Sequence, residues 1–274
     1  MWSIGAQWRG CRERQSSAKD NDRGQSRTAS PRNPGDTTLA SMDPQFVLAA
    51  GFYVVFVLST VLHEAAHAWA AMRLGDDTAQ RAGQVSLDPI PHMTREPIGM
   101  ILLPILTLAF IGWPLGFASA PYDPIWADRH PRRAGWMALA GPGANLLLFL
   151  LAAAGLRWGL AGGLFQAPET LSLYSVVETS GSPVGRSFAI FLSLVFVQNL
   201  LLLILNLIPV APLDGSAAVA LMLPAKTFSS YSRLMGQPGM SIIGLVLAWN
   251  LFHRLFEPAY LAALELVYGT LSLG

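Results

Sequence analysis

Cysteine is almost absent from this 274-residue chain: there is one, Cys11. A disulfide within the chain is therefore excluded, and so is a metal site built from clustered thiolates. Charge is scarce as well. Asp, Glu, Lys and Arg make up 13% of residues, against roughly a quarter in an average soluble protein. The formal net charge of +1 offers no electrostatic case for nucleic acid or for a strongly acidic partner. No apolar run occurs in the first thirty residues, so a secretory leader is a poor reading of the N-terminus. No internal repeat stands out, and no appended soluble domain of useful size is expected.

What the chain does contain is apolar surface, 52% of its residues. The exception is residues 1–41, where Arg9, Arg12, Arg14, Lys19, Arg23, Arg27 and Arg32 sit among Ser, Gly, Asn and Pro. Such a stretch buries too little to offset its ordering entropy. It reads as a disordered or mis-called N-terminal extension, since Met42 directly precedes the first apolar run. Residues 42–274 read as one membrane-embedded domain. About 20 mostly apolar residues cross the hydrocarbon core, and runs of that kind occur near residues 46–74, 98–117, 134–156 and 188–208. The second is broken by Pro104 and Pro114. A fifth region, 240–273, holds one long span or two short ones interrupted at Arg254–Pro258. The expected fold is all-α, a polytopic bundle of about five spans (four to six). The basic clusters, Arg73, Arg81 and Arg95 against Arg129, Arg132 and Arg133, fall on opposite sides if the second run crosses fully, and then give no clear orientation.

Inside the first run lies His63-Glu64-Ala65-Ala66-His67. On a helix, positions i and i+4 share a face one turn apart. Both imidazoles can then reach one zinc ion, with the glutamate placed to take a proton from an attacking water. Ionisable groups deep in a bilayer default to a functional reading. The bland alternative puts the triplet at the headgroups, because Arg73 and Gly75-Asp76-Asp77 follow closely. A third ligand would decide between them. Asn206-Leu207-Ile208-Pro209-Val210-Ala211-Pro212-Leu213-Asp214-Gly215 supplies one lone carboxylate at the end of the fourth run, where the prolines break the helix. Asp214 reads either as the third ligand of an open zinc site or as the N-cap of a following helix.

Those two motifs resemble the site-2 proteases, intramembrane zinc metalloproteases that pair H-E-x-x-H on one transmembrane helix with N-x-x-P-x-x-x-L-D-G on a later one. Asn206, Pro209, Leu213, Asp214 and Gly215 meet the second pattern in full. Gly141-Pro142-Gly143-Ala144-Asn145 is similar to the family's Gly-Pro-x-x-Asn element. The run from Leu74 to Thr78, with Gly83, Leu87, Pro89 and His92, looks like the compact bacterial and archaeal branch without PDZ or CBS domains. The resemblance spans about Phe46 to Leu223. It implies that His63, His67 and Asp214 hold one Zn2+ per chain between the first and fourth spans. It also implies that Glu64 is the catalytic acid/base and that Asn206 stabilises the oxyanion. The implied activity is peptide-bond hydrolysis in or near transmembrane segments of membrane-protein substrates. The implied location is a prokaryotic plasma membrane, with the lipid bilayer as partner and no nucleic acid. One departure falls at Gly112-Trp113-Pro114-Leu115-Gly116-Phe117-Ala118, where the branch often reads Gly-Trp-Ala-Lys-Pro-Val-Pro. Another is Ser216, in place of a second glycine.

The rival reading is a zinc-binding membrane protein without protease activity, such as a metal transporter, although Glu64 stands where a base is needed. Oligomeric state is left open. Among weaker residues, His92 and His130 read as solvated loop residues and His253 as interfacial. Asn145 reads either as a donor supporting the site or as a link between helices. Trp113, Trp126, Trp136 and Trp158 fit an interfacial aromatic belt. Gln84-Val85-Ser86-Leu87 shows a weak strand-like alternation, and is expected to receive a locally unwound substrate.

Overall fold

The computed structural model describes residues 44–269, so the extension at residues 1–41 lies outside it. Proline and its neighbours set where the helices begin. Asp88, Asp123 and Ser182 each precede a proline, and each side chain accepts a backbone N–H of the first turn. Proline needs no partner for its own nitrogen there, and the preceding oxygen satisfies one of the free donors. The helices so started are α3 (Pro89–Arg95), α5 (Pro124–Arg129) and α7 (Pro183–Asn206). The others are α1 (Pro44–Leu74), α2 (Thr78–Arg81), α4 (Leu103–Ile111), α6 (Pro131–Ala161), α8 (Asp214–Ala218), α9 (Ala225–Met235) and α10 (Met240–Tyr268). A π-helical turn, Ile98–Leu102, leads into α4. Gly112 closes α4 in the left-handed region at φ 79°, which only glycine enters without cost.

The protein is an all-α bundle. Helices α1, α6 and α7 pack together at its centre, and α10 leans on α6 and α7. Phe52, Phe149, Phe196, Leu156 and Val267 are among the core side chains, while Phe110, Leu147, Trp158 and Ile242 face outward. Three helices are long and apolar enough to cross a membrane, Leu48–Leu74, Pro131–Ala161 and Pro183–Asn206. The number rises to five if α3 with Ile98–Ile111, and α9 with α10, each count as one span; those pairs bend by 109° and 100°.

The second run is not a straight span. The chain leaves α1 and enters α6 at the same end of the bundle, where Asp123 N–H donates to Asp76 Oδ2 (2.8 Å) and Arg133 reaches the Leu74 carbonyl (3.3 Å). The chain therefore goes in along residues 98–111, reaches Phe52 at Trp113, and comes back along residues 113–123 without regular structure. The second run does not cross fully, so the two basic clusters share one end. α10 runs unbroken through Pro258, which decides for one long helix in the fifth region.

Asp76 ties this end together. It is buried and also accepts from Thr78 N–H (3.0 Å) and Thr78 Oγ1 (2.6 Å). Burial works against its charge, but the hydrogen bonds from Thr78 and from the Asp123 N–H outweigh it and hold the carboxyl below its ordinary value. A depressed carboxyl stabilises the fold above the unfolded pKa of about 3.9, and that gain is lost as pH falls through the lower folded value. Asp76→Asn is expected to cost about 1.5–3 kcal/mol at neutral pH, read as a lower thermal midpoint in micelles. The deficit relative to wild type should shrink below pH 4.

Four sequence expectations change here. Gln84–Leu87 forms no strand; Gln84 is buried and donates to the Pro91 carbonyl (3.0 Å). His92 is not solvated but buried in α3, its Nε2 bonded to the Ser86 carbonyl (2.9 Å). Trp113 and Trp126 are buried too, Trp113 edge-on to Phe52 with centroids 4.9 Å apart. Both lie near the ends of expected spans, but the returning segment folds them inward. Trp136 and Trp158 are exposed, as expected.

Candidate metal centre

His63 and His67 stand one turn apart on the inward face of α1, and both are buried with Glu64 between them. After α7 ends at Asn206, the chain turns through Pro209 and Pro212 and restarts at α8. This turn is clamped from outside, since a Cβ on Gly244 of α10 would collide with the Ala211 carbonyl. The first residue of α8 is Asp214, and its carboxylate is turned to the histidines instead of capping the helix, whose N-cap is Leu213. Asp214 is therefore not the N-cap of this helix.

Three ligand atoms converge. His63 Nε2 lies 2.9 Å from His67 Nε2 and 3.0 Å from Asp214 Oδ2, and His67 Nε2 lies 3.3 Å from the same oxygen. Tetrahedral zinc with bonds of about 2.0–2.2 Å has ligand–ligand edges of roughly 3.3 Å, so the triangle is close to the required size. The protons support the same conclusion. His67 Nδ1 bonds the Met137 carbonyl (2.8 Å), which can only accept. His63 Nδ1 bonds Asn145 Oδ1 (2.6 Å), and Asn145 Nδ2 donates to Asn199 Oδ1 (2.8 Å). Asn199 Nδ2 in turn donates to Ser59 Oγ (3.0 Å) and to the Val195 carbonyl (2.9 Å). Anchored at that carbonyl, the relay orients both amides and leaves His63 Nδ1 as the donor. In its neutral form each imidazole then turns a bare Nε2 lone pair toward a carboxylate oxygen. Three acceptors facing one another suit a cation, and hydrogen-bonded outer nitrogens are the usual support of metal-binding histidines. No other group of three or more His, Cys, Asp or Glu among the described residues has ligand atoms this close.

Gly141 makes room for the centre. A Cβ there would overlap His67 Nε2 and come within 2.5 Å of His63 Nε2, so the imidazoles lie directly on the α6 backbone. Glu64 Oε2 is buried with no protein partner. Glu64, His67 and Asp214 border a cavity of about 490 Å³, walled further by Pro121, Tyr122 and Tyr231. The extended segment along it is Ala118–Tyr122, whereas Val85–Leu87 lines a separate shallow groove on α1.

The structure brings His63, His67, Glu64 and Asp214 together. It does not bring in Asn206, which closes α7 half-buried and does not line the cavity. Asn145 links helices as expected, donating to Asn199 on α7, but toward the site it accepts from His63 and does not donate. Asn199, Ser59 and the Met137 carbonyl were missed. Gln198-Asn199, a polar pair within an apolar run, was the available signal for Asn199. A backbone carbonyl carries none. Asn145→Leu is expected to weaken metal binding by about 10–100-fold, measured by competition with a chromogenic chelator.

A helical bundle holding two imidazoles, a carboxylate and an adjacent free glutamate has the parts of a hydrolytic metal centre. Two curated relatives carry names of that kind. "Putative zinc metalloprotease YwhC" of Bacillus subtilis (strain 168) is 32% identical over 176 residues, covering 62% of this chain and 68% of that protein. "Putative zinc metalloprotease Rip2" of Mycobacterium tuberculosis (strain ATCC 35801 / TMC 107 / Erdman) is 32% identical over 212 residues, 72% of this chain and 71% of that protein. The chain belongs to the zinc metalloprotease family that these proteins represent. No family model matches it, and no solved structure matches it.

Proposed function

We propose that this protein is an intramembrane zinc endopeptidase of the site-2 type, cutting peptide bonds in or near transmembrane segments of other membrane proteins. The observation that carries the reading is the place where three candidate ligand side chains converge. The His63, His67 and Asp214 ligand atoms meet between the central helices of a bundle whose outer face is largely apolar. Bound there, zinc supplies Lewis acidity for a peptide carbonyl and acidifies a water. Glu64 takes the proton of the attacking water and delivers it to the leaving amine. Asn145 and the Met137 carbonyl keep the histidines in the tautomer that leaves Nε2 free. Asn206 is proposed to donate to the oxyanion once substrate is in place, in which case Asn206→Ala lowers kcat by about 10²–10³ with little change in KM. A transporter would spread its ligands along a path; here they are gathered at one point beside a base.

The bundle end that bears the centre carries Arg73, Arg81, Arg95, Arg129, Arg132, Arg133, Lys226 and Arg233. Among the described residues, the other end carries Arg157 and Arg186. By the positive-inside rule, the centre opens toward the cytoplasm of a prokaryotic cell. The test is incubation of purified, zinc-loaded protein with a panel of single-span membrane proteins, before and after chelation. Cleavage that stops on chelation and returns with zinc supports the proposal. Full zinc occupancy with no cleavage across the panel favours the non-proteolytic reading.

A further inference from the structure

α10 buries one side against the bundle, through Gly244, Ala248 and Phe252, and leaves the opposite side uncovered. Along that outer side, Ile243, Leu247, Asn250, Arg254, Glu257 and Leu261 follow one another at intervals of four, three, four, three and four residues. This is heptad spacing, the pattern of a helix that packs along a partner helix. All six are exposed; Ile243, Leu247 and Leu261 are 52%, 54% and 50% accessible. Arg254 is the central residue of Met240–Tyr268, about 21 Å along the axis from either end. If α10 crosses the bilayer, an arginine, a glutamate and an asparagine lie at its middle and point away from their own bundle. Neither Arg254 nor Glu257 forms an ion pair among the described residues, and Asn250 donates only to the Val246 carbonyl. Intramembrane charges ordinarily face protein or water.

We propose that this seam is a homodimer interface, in which α10 pairs in parallel with α10 of a second copy. The charge pattern favours a second copy over an unrelated helix. Two chains inserted in the same sense are related by an axis along the membrane normal, which makes their helices parallel and the contact isologous. Arg254 of each then reaches Glu257 of the other in the adjacent layer, one turn on, which makes two cross-helix ion pairs from one surface. Asn250 meets its own copy at the seam, a use of asparagine that fixes register in coiled coils. Ile243, Leu247 and Leu261 form the apolar layers on either side.

The test is disulfide cross-linking of the full chain in native membranes, in a Cys11→Ser background, independent of any protease assay. Leu247→Cys and Leu261→Cys should form disulfide-linked dimers. Ile242→Cys, exposed but off the seam, should not. Arg254→Glu alone and Glu257→Arg alone should each reduce cross-linking to the Ile242 level, and the two combined in one chain should restore it. Cross-linking at the seam no greater than at Ile242 overturns the proposal. So does cross-linking that ignores both reversals, or single-reversal losses that the combination does not repair, the result expected if another membrane protein or lipid covers the seam.

Discussion

Replacing Glu64 by glutamine is expected to lower peptide-bond cleavage by about 10²–10⁴-fold while bound zinc stays at the wild-type level. The side chain keeps its shape and its place at the cavity wall, but an amide cannot accept the proton of the attacking water. Glu64 Oε2 has no protein partner, so no structural hydrogen bond to that oxygen is lost. The candidate ligand atoms belong to His63, His67 and Asp214, so metal retention is expected. The checks are turnover of a cleaved single-span substrate and zinc content by atomic emission on the same preparation. Equal loss of zinc and activity would make Glu64 a ligand and would remove the base from the mechanism. Asp214→Ala provides the contrast: it should lose both together, since it takes away one corner of the triangle.

Gly141→Ala is expected to abolish metal binding, with a loss of affinity of at least about a hundredfold, beyond the roughly 10–100-fold typical of removing an outer partner. The added methyl would occupy the position of His67 Nε2 and press on His63 Nε2. Neither ring can retreat, because each is held from behind, His67 by the Met137 carbonyl and His63 by Asn145. Chelator competition measures the affinity. Gly143→Ala is the control, since nothing lies within 4 Å of the Cβ it would add, and alanine favours a helix interior by up to about 1 kcal/mol over glycine. A Gly141→Ala protein that binds zinc normally would mean that α6 moves away from α1 more readily than its packing suggests.

The outline of the site was legible in the chain itself. The four-residue spacing of His63 and His67 is a property of helical geometry, and the lone carboxylate of Asp214 in an apolar stretch marks itself by its cost. The class of fold followed from the shortage of charge and the length of the apolar runs. Other features were not legible, because they depend on which helices become neighbours. Residues 98–111 are as apolar as a span, and only the tie between Asp76 and Asp123 reveals that the chain returns to the end it left. His92 and Trp126 sit in polar, proline-rich stretches that read as surface until the loop folds back over them.

Sequence alone determined which groups this protein brings to a candidate centre: two imidazoles one turn apart, a carboxylate between them and a second carboxylate behind a helix break, all fixed by local spacing and residue type. Only the tertiary structure decided how that chemistry is held. The proton positions on His63 and His67 depend on Asn145, Asn199 and a backbone carbonyl from two other helices, and the room for a metal depends on the missing side chain of Gly141. These are contacts between segments far apart in the chain, and residue spacing along one helix says nothing about the atoms that another helix will place beside it.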